Sequence, residues 1–242
     1  MAAHALLGLR GYKVAHQRHA SAILTTDYVD VCDDLVAVLR PLKVKRDYVI
    51  AGGGGKSLIT QGMERSLRAR EWDKKVFRMS QTIDEAVIES NTHEIDHFKG
   101  FDDGRPGIAL EIEWNNKDPF YDRDLETFAR LHRLGVISAG VIITRGPSLQ
   151  NALKGVLVDH YKTLSPTELR SVVKGMRPEH RERVQKAKTS EEKARIVGEI
   201  KFSSKYGTAT THWNKLMERT SRGLGNPCPL LLIGIEASRL VP

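Results

Sequence analysis

The sequence predicts an α/β protein with a central sheet that is at least partly parallel, and three observations carry that prediction. Ile108 to Trp114 reads as a strand, Asp122 to Leu134 as a helix with Leu125, Phe128 and Leu131 inward, and Val136 to Thr144 as a second strand. Strand, helix, strand in that order is the parallel crossover unit. Pro229-Leu-Leu-Leu-Ile-Gly-Ile235 is a short, fully apolar run, read as a buried strand. Finally, 242 residues with 40% apolar and 28% charged side chains suit a soluble globular chain with a sizeable core.

The remaining elements follow in order. Met1 to Leu9 lacks a charged lead-in and a cleavage site, and no run approaches the length of a membrane span, so secretory and membrane classes are excluded. Ala20 to Leu39 carries apolar residues at helical spacing and predicts one helix. Tyr48 to Ala51 is a short apolar run that meets Gly52 to Gly55 and then Lys56-Ser57. Leu58 to Arg70 and Thr82 to Ser90 read as helices, and the stretch around Asp96 and Asp102-Asp103 reads as loop. Ser165 to Lys201 is helical and highly charged, with ten basic and six acidic residues, and reads as an appended helical layer. Pro166 suits a helix start and Pro178 a break. Thr208 to Thr211 is a polar loop ahead of a helix over His212 to Arg222.

Charge and cysteine content narrow the function. Thirty-eight Lys plus Arg against thirty Asp plus Glu give +8, a weak pointer to a polyanion, with nucleic acid first. Cys32 and Cys228 are too few and too far apart for a disulfide framework or a zinc site, so a reducing cytoplasm is the expectation. Cys228, in an apolar run, reads as an inert buried thiol. Ala51-Gly-Gly-Gly-Gly-Lys-Ser57 invites a phosphate-binding P-loop, but that motif needs a glycine where Ile50 stands. The loop reads instead as a flexible surface turn, or as backbone able to approach DNA closely.

The chemistry concentrates in the middle of the chain. Glu111 and Glu113 are one residue apart on a predicted strand, so both side chains leave the same face. Two carboxylates on one face repel unless a cation lies between them. An acid-x-acid strand with an upstream Asp forms a hard, oxygen-rich site suited to magnesium, which can activate water against a phosphodiester. The plainer alternative is a solvated acidic strand end.

Three blocks bear on that choice: His93-Glu-Ile-Asp96-His-Phe-Lys99-Gly100, Ala109-Leu-Glu-Ile-Glu-Trp-Asn-Asn-Lys-Asp-Pro-Phe120, and Asp122-Arg-Asp-Leu125. Together they resemble the type II restriction endonucleases of the BamHI/BglII/BstYI branch, in the PD-(D/E)XK nuclease superfamily. The likeness runs through Gly140-Val-Ile-Ile-Thr-Arg145 and Thr210-Thr-His212 to Cys228 to Ile235, and reaches back to the Gly-rich Lys-Ser loop and the helix near His19.

The resemblance implies a restriction-endonuclease-like core over residues 1–242, a central mixed β-sheet flanked by helices, with the basic helical segment at about 165–201 as an insertion. It implies a magnesium-dependent, site-specific deoxyribonuclease with one or two Mg2+ per site. Asp96 and Glu111 would be metal ligands, together with the backbone carbonyl of Ile112. Glu113 stands where many superfamily members carry lysine, and would be a metal ligand or the group that positions and deprotonates water.

The spacing departs from the branch, since Asp96 lies fifteen residues before Glu111 and the shorter family interval lands on Asp102. The Asp-x-x-Lys-Gly pattern favours Asp96, with Phe101 to Pro106 as a small insertion. Lys99 is then either a solvated neighbour or a ligand of the scissile phosphate.

DNA contacts would come from Lys56 and Ser57 in the Gly-rich loop, from Asn115, Asn116 and Lys117 after the acidic strand, and from Lys205, Thr208, Thr210, Thr211 and His212. Asn suits bidentate pairing with adenine, although an Asn-rich turn is the alternative, and hydroxyls suit phosphates or bases. Arg123, Arg130 and Arg133 fall where the branch builds its dimer interface, and Trp72, Trp114 and Trp213 read as core or interface residues. The basic helices at 165–201 are expected to form an arm or lid over the DNA backbone.

Further implications are a homodimer on double-stranded DNA, a prokaryotic cytoplasm, no membrane, and a companion DNA methyltransferase in the same restriction-modification system that is not a physical partner. Two other readings are a sequence-specific DNA-binding protein on a nuclease-like fold and a repair or nicking nuclease.

Overall fold

A computed structural model describes residues 8–51 and 55–242. Most of the Met1 to Leu9 segment and three of the four glycines, at 52–54, therefore lie outside the described residues. The main sheet has strands β1 (Tyr12–Gln17), β3 (Asp73–Ile83), β4 (Ala86–Lys99), β5 (Gly107–Glu113), β6 (Ile137–Arg145) and β7 (Leu230–Ile235). Their order is β1-β7-β6-β5-β4-β3. Strands β5, β6 and β7 are parallel, while β1, β4 and β3 run antiparallel to their neighbours, so the sheet is mixed. A second, two-stranded sheet pairs β2 (Val44–Lys45) with β8 (Leu240–Val241).

The described helices are α1 (Ala20–Thr26), α2 (Val29–Leu39), α3 (Arg46–Ile50), α4 (Leu58–Arg68), α5 (Phe120–Arg133), α6 (Pro147–Thr163), α7 (Pro166–Lys174), α8 (Pro178–Gln185), α9 (Ser190–Tyr206) and α10 (Trp213–Ser221). They form two layers. One face of the sheet (Ile108, Leu110, Ile112, Val141, Ile143) packs on α1, α2, α4, α6 and α9. The other face (Ala109, Ile142, Leu230, Leu232) packs on α5 and α10. Continuous apolar sequence in β7 follows from this, because a parallel strand covered on both faces has no polar side to present. None of the described helices is long and apolar enough to cross a membrane.

Several elements differ from the sequence expectations. The single helix over Ala20 to Leu39 is two, broken at Tyr28. The Tyr28 hydroxyl is tied to Pro106 O (2.8 Å) and to the Ser138 hydroxyl (2.7 Å), and these tertiary bonds override helical spacing. The predicted helix over Thr82 to Ser90 is a β-hairpin. Thr82 pairs with Val87 and Ile83 with Ala86, and Asp84-Glu85 turn the chain with φ of 46° and 66°. β-branched Thr82, Ile83, Val87, Ile88 and Thr92 favour the extended form, and the two-residue turn needs positive φ.

Asp96 lies on strand β4 and not in a loop. Strand β1 and helix α6 were not anticipated. Trp72, Trp114 and Trp213 are core residues, and both cysteines are buried and free.

The basic segment forms three helices. Ser165 starts α7 with a capping box: its hydroxyl accepts from the Glu168 amide (3.3 Å), and its own amide donates to Glu168 (2.8 Å). These helices are not a projecting arm. Leu169, Met176, Val184, Ala187, Val197 and Ile200 join the same apolar cluster as β6. Helix α9 runs so close to α6 that a Cβ on Gly198 would lie 2.6 Å from the Val158 Cα. Outer-face charges engage one another, as where Glu199 pairs with Lys154, Arg183 and Arg195.

Candidate active site

Strands β5, β6 and β7 all end at the same edge of the sheet, at Glu113, Arg145 and Ile235. That is the edge where open α/β sheets commonly place their ligands. Glu111 and Glu113 share the β5 face that looks toward α5, opposite the face carrying Ile108, Leu110 and Ile112. They are 3% and 2% exposed, so this is no solvated strand end.

The register of β4 on β5 runs from Lys99–Ile108 to His97–Leu110 and ends there, one residue short of Asp96 and Glu111. The Asp96 amide donates to Glu111 Oε1 (3.1 Å). The charge of Asp96 raises the proton affinity of Glu111, so these two carboxyls lie near one another, with Glu113 two residues further along β5. Asp102 instead lies exposed in the turn between the two strands, where Asp103 and Arg105 pair at 2.7 Å. Lys99 points the other way: its ammonium pairs with Asp34 (2.5 Å) and donates to Arg70 O (3.2 Å), so it is neither solvated nor at the acidic site.

Sequence reasoning missed the fourth acid. Asp124 on α5 is 3% exposed. It sits three residues after Tyr121 and four before Phe128, both wholly buried against the sheet, so helical spacing had placed it on the inward face. Its Oδ1 accepts from Arg123 Nε (3.0 Å) and Nη2 (2.8 Å), and its carboxyl also shares a hydrogen bond with the Glu113 carboxyl. Arg123 therefore belongs to the rim of the acids. Lys74, paired with Glu94 at 2.6 Å, adds a second positive charge near Asp96 and Glu111.

The acids perturb one another. Burial, reinforced by the charges of Asp124 and Asp96, pushes Glu111 well above the usual carboxylate range. Burial and Asp124 push Glu113 up to about 8, against the stabilising pull of Asn116. Asp124 is raised by burial despite its Arg123 fork.

The sign is direct. The folded chain keeps protons on Glu111 and Glu113 that an unfolded chain sheds above about pH 4.5. Metal-free stability tied to these groups is whole below that value and is lost as pH climbs to about 8. The loss amounts to at most about 1.4 kcal/mol per pH unit per carboxyl. Melting in EDTA should show Glu113→Gln matching the wild type near pH 5 and exceeding it near pH 8. A difference independent of pH would contradict this.

The sequence-predicted DNA contacts divide. Asn115 and Lys117 are at least partly exposed beside the acidic strand, and Thr208 is exposed. The two polar segments are zipped together: Lys117 bridges Thr210, Asp118 N donates to Ala209 O (3.1 Å), and Thr211 N to Asn116 O (2.9 Å). The Asn116 carboxamide grips both oxygens of Glu113 at 3.2 and 3.1 Å, so it orients an acid of the site. Thr210, Thr211 and His212 are buried.

Arg145, also missed, holds Thr210 Oγ1 (2.7 Å) and Thr211 O (2.5 Å) from within. Lys205 donates to Val49 O (2.9 Å) and Ala51 O (2.5 Å), closing the end of α3. Ser57 caps α4 by accepting from Thr60 N (3.0 Å), and Lys56 pairs with Glu64.

Among the described residues, no three His, Cys, Asp or Glu side chains already form a metal cage. The donor set nevertheless fits a hard divalent cation. Every candidate is a carboxylate, and they raise one another's proton affinity.

A six-stranded mixed sheet between helical layers is consistent with the fold of the type II restriction endonucleases. A family model described as restriction endonuclease BglII/BglIII matches residues 12–235, from the first residue of β1 to the last of β7. The chain belongs to that family, and so is a site-specific deoxyribonuclease. No individual curated protein matches it.

Proposed function

We propose that this restriction endonuclease is a homodimer that hydrolyses both strands of double-stranded DNA at a short palindrome, with Mg2+, leaving 5′-phosphate and 3′-hydroxyl ends. The observation that carries the reading is the contact of Asp96 with the buried Glu111, two residues from Glu113 and next to the zipped segments at 116–118 and 209–211. Chemistry and DNA-facing backbone thus share the carboxyl edge of the parallel strands.

Asp96, Glu111 and the Ile112 carbonyl would hold Mg2+, which when bound polarises the phosphodiester and lowers the pKa of water. Glu113, gripped by the Asn116 carboxamide, would accept the proton of the attacking water once a bound cation offsets the neighbouring acids and frees its carboxylate. Asn115, Lys117 and Thr208 remain available to touch DNA, and the buried Thr210, Thr211 and His212 support the shape of that surface. Two-fold symmetry lets each subunit read half of a palindrome and cut one strand. Ser57 and Lys205 are engaged in bonds within the chain, whereas Lys56, paired with Glu64, keeps an exposed side chain.

Incubation of the purified protein with unmethylated phage DNA, with and without Mg2+, tests this directly. Discrete fragments that appear only with metal are expected, and end-sequencing then gives the site and the overhang. Tight, salt-sensitive binding without any cutting would point instead to a DNA-binding protein on the same fold. Nicks without a fixed fragment ladder would point to a repair or nicking role.

A further inference from the structure

We propose that a cationic cleft between α7, α8 and α9 is a second DNA contact, one that holds the phosphate backbone of the duplex outside the segments at 115–118 and 208–211. The cleft has a volume of about 450 Å3. Its floor is apolar, with the buried Leu169 and Val184, and its rim carries Arg170, Lys174, Arg181 and Lys193. Among the described residues, no acidic side chain lines it.

Elsewhere on these helices the charges are paired. Glu182 holds Lys186, Glu191 holds Lys162, and Glu199 gathers Lys154, Arg183 and Arg195. The four rim cations form no ion pair among the described residues, and Arg170 donates only to the Thr167 hydroxyl (3.2 Å). Arg181 and Lys193 are half-buried as well. Cations gathered without a counter-ion repel one another and give up hydration, and an anion seated among them offsets both costs. The apolar floor strengthens that attraction by excluding water.

The anion that fits is DNA. The chain belongs to a family of deoxyribonucleases and carries a net charge of +8. One helix also joins the cleft to the edge that bears the acids. Helix α9 sets Ser190 and Lys193 in the cleft at its start. Near its end, Lys201, Ser204 and Lys205 share a smaller cleft with Asn115, which lies two residues beyond Glu113. Lys193 and Lys205 are separated by about 18 Å of helix, or roughly five base pairs of duplex.

The inference rests on the reading that DNA lies against Asn115. A duplex that continues from there along α9 meets the four cations with backbone, which carries no sequence information. Because the three helices are packed on the core, the contact is a fixed surface and not a lid.

The test compares wild type with the triple variant Lys174→Gln, Arg181→Gln, Lys193→Gln and with the charge-keeping Lys174→Arg, Arg181→Lys, Lys193→Arg. Thermal melting confirms that each is folded. Fluorescence anisotropy in Ca2+, across a range of KCl, follows binding of labelled duplexes of about 30 and about 10 base pairs centred on the mapped cleavage site. On the long duplex the triple Gln variant should bind more weakly. Its salt slope should be shallower by about 0.9 for each phosphate given up, hence by up to about 2.7. The charge-keeping variant should match the wild type, and all three proteins should share one slope on the short duplex.

An unchanged slope on the long duplex, or an equal loss on both lengths, overturns the inference and leaves the reading at Asn115 standing. Dissociation of a wild-type dimer in the triple Gln variant, read by sedimentation, would assign the cleft to a partner chain and overturn it too. Failure of the wild type to bind either duplex removes the reading at Asn115 and this inference with it.

Discussion

Glu111→Gln should abolish strand cleavage while leaving DNA binding intact or slightly tighter. Glu111 is the member of the site that touches most of the others: it accepts from the Asp96 amide, and it feels the charges of Asp96, Asp124 and Glu113. The amide oxygen preserves that backbone bond and the side-chain volume, so β4 and β5 keep their register. What disappears is a negative ligand at the point where the proposed cation gathers phosphate and water. Removing such a group costs on the order of 10³-fold in rate.

Binding should move the other way, because taking one negative charge from beside a phosphate removes repulsion. The measurement is single-turnover cleavage at a mapped site, paired with a mobility shift in Ca2+. Parallel loss of both would mean that Glu111 matters for the fold and not for the chemistry. Full activity would mean that the β5 acids are not the site.

How far this site was legible in the sequence depends on which direction each contact runs. Glu111 and Glu113 were readable because a strand's two-residue period is local, and Ile108, Leu110 and Ile112 marked the opposite face. The β5-α5-β6 unit was readable for the same reason. Asp96 was found through its neighbours in sequence while its strand was missed, since β4 is long, polar and half of a hairpin whose pairing is not local.

The predicted helix at Thr82 to Ser90 failed at two residues, Asp84 and Glu85, whose positive φ no hydrophobic pattern encodes. Asp124 was legible in principle, by counting from Phe128, but it was hidden among the charges of an amphipathic helix. Arg145, Lys205 and Asn116 were not legible. Each takes its meaning from a partner: residues 65 and 66 positions away for Arg145, and more than 150 away for Lys205. Asn116 was read for bases because its type suits them, whereas the fold turns its amide onto Glu113.

Arg145 carries the second large effect. It ends β6 wholly buried, and among the described residues it has no carboxylate partner. Its guanidinium holds Gln150, Thr210 Oγ1 and Thr211 O, and lies 5.0 Å from the centre of the Tyr206 ring. Burial draws its pKa down to about 10, which still leaves the charge in place at neutral pH. A buried cation held only by neutral oxygens and a ring face, with its Nε left without a partner, is an expensive way to fill space.

What the arrangement secures is position: the fork fixes Thr210-Thr211 to β6, and the 208–211 segment in turn pairs with 116–118 beside Glu113. Arg145→Ala leaves several buried acceptors without a donor and opens a cavity, and should cost about 3–5 kcal/mol, a drop in Tm of roughly 10 °C.

Arg145→Met separates packing from positioning, because it refills the cavity but cannot bond the threonines. It should recover part of the stability while hydrogen exchange at 208–212 stays fast and cleavage stays impaired. If Met restores both protection and cleavage, the guanidinium is a space-filler and the coupling between the segments at 116–118 and 208–211 lies elsewhere. If Lys restores neither, the requirement is for the planar fork and not for the charge.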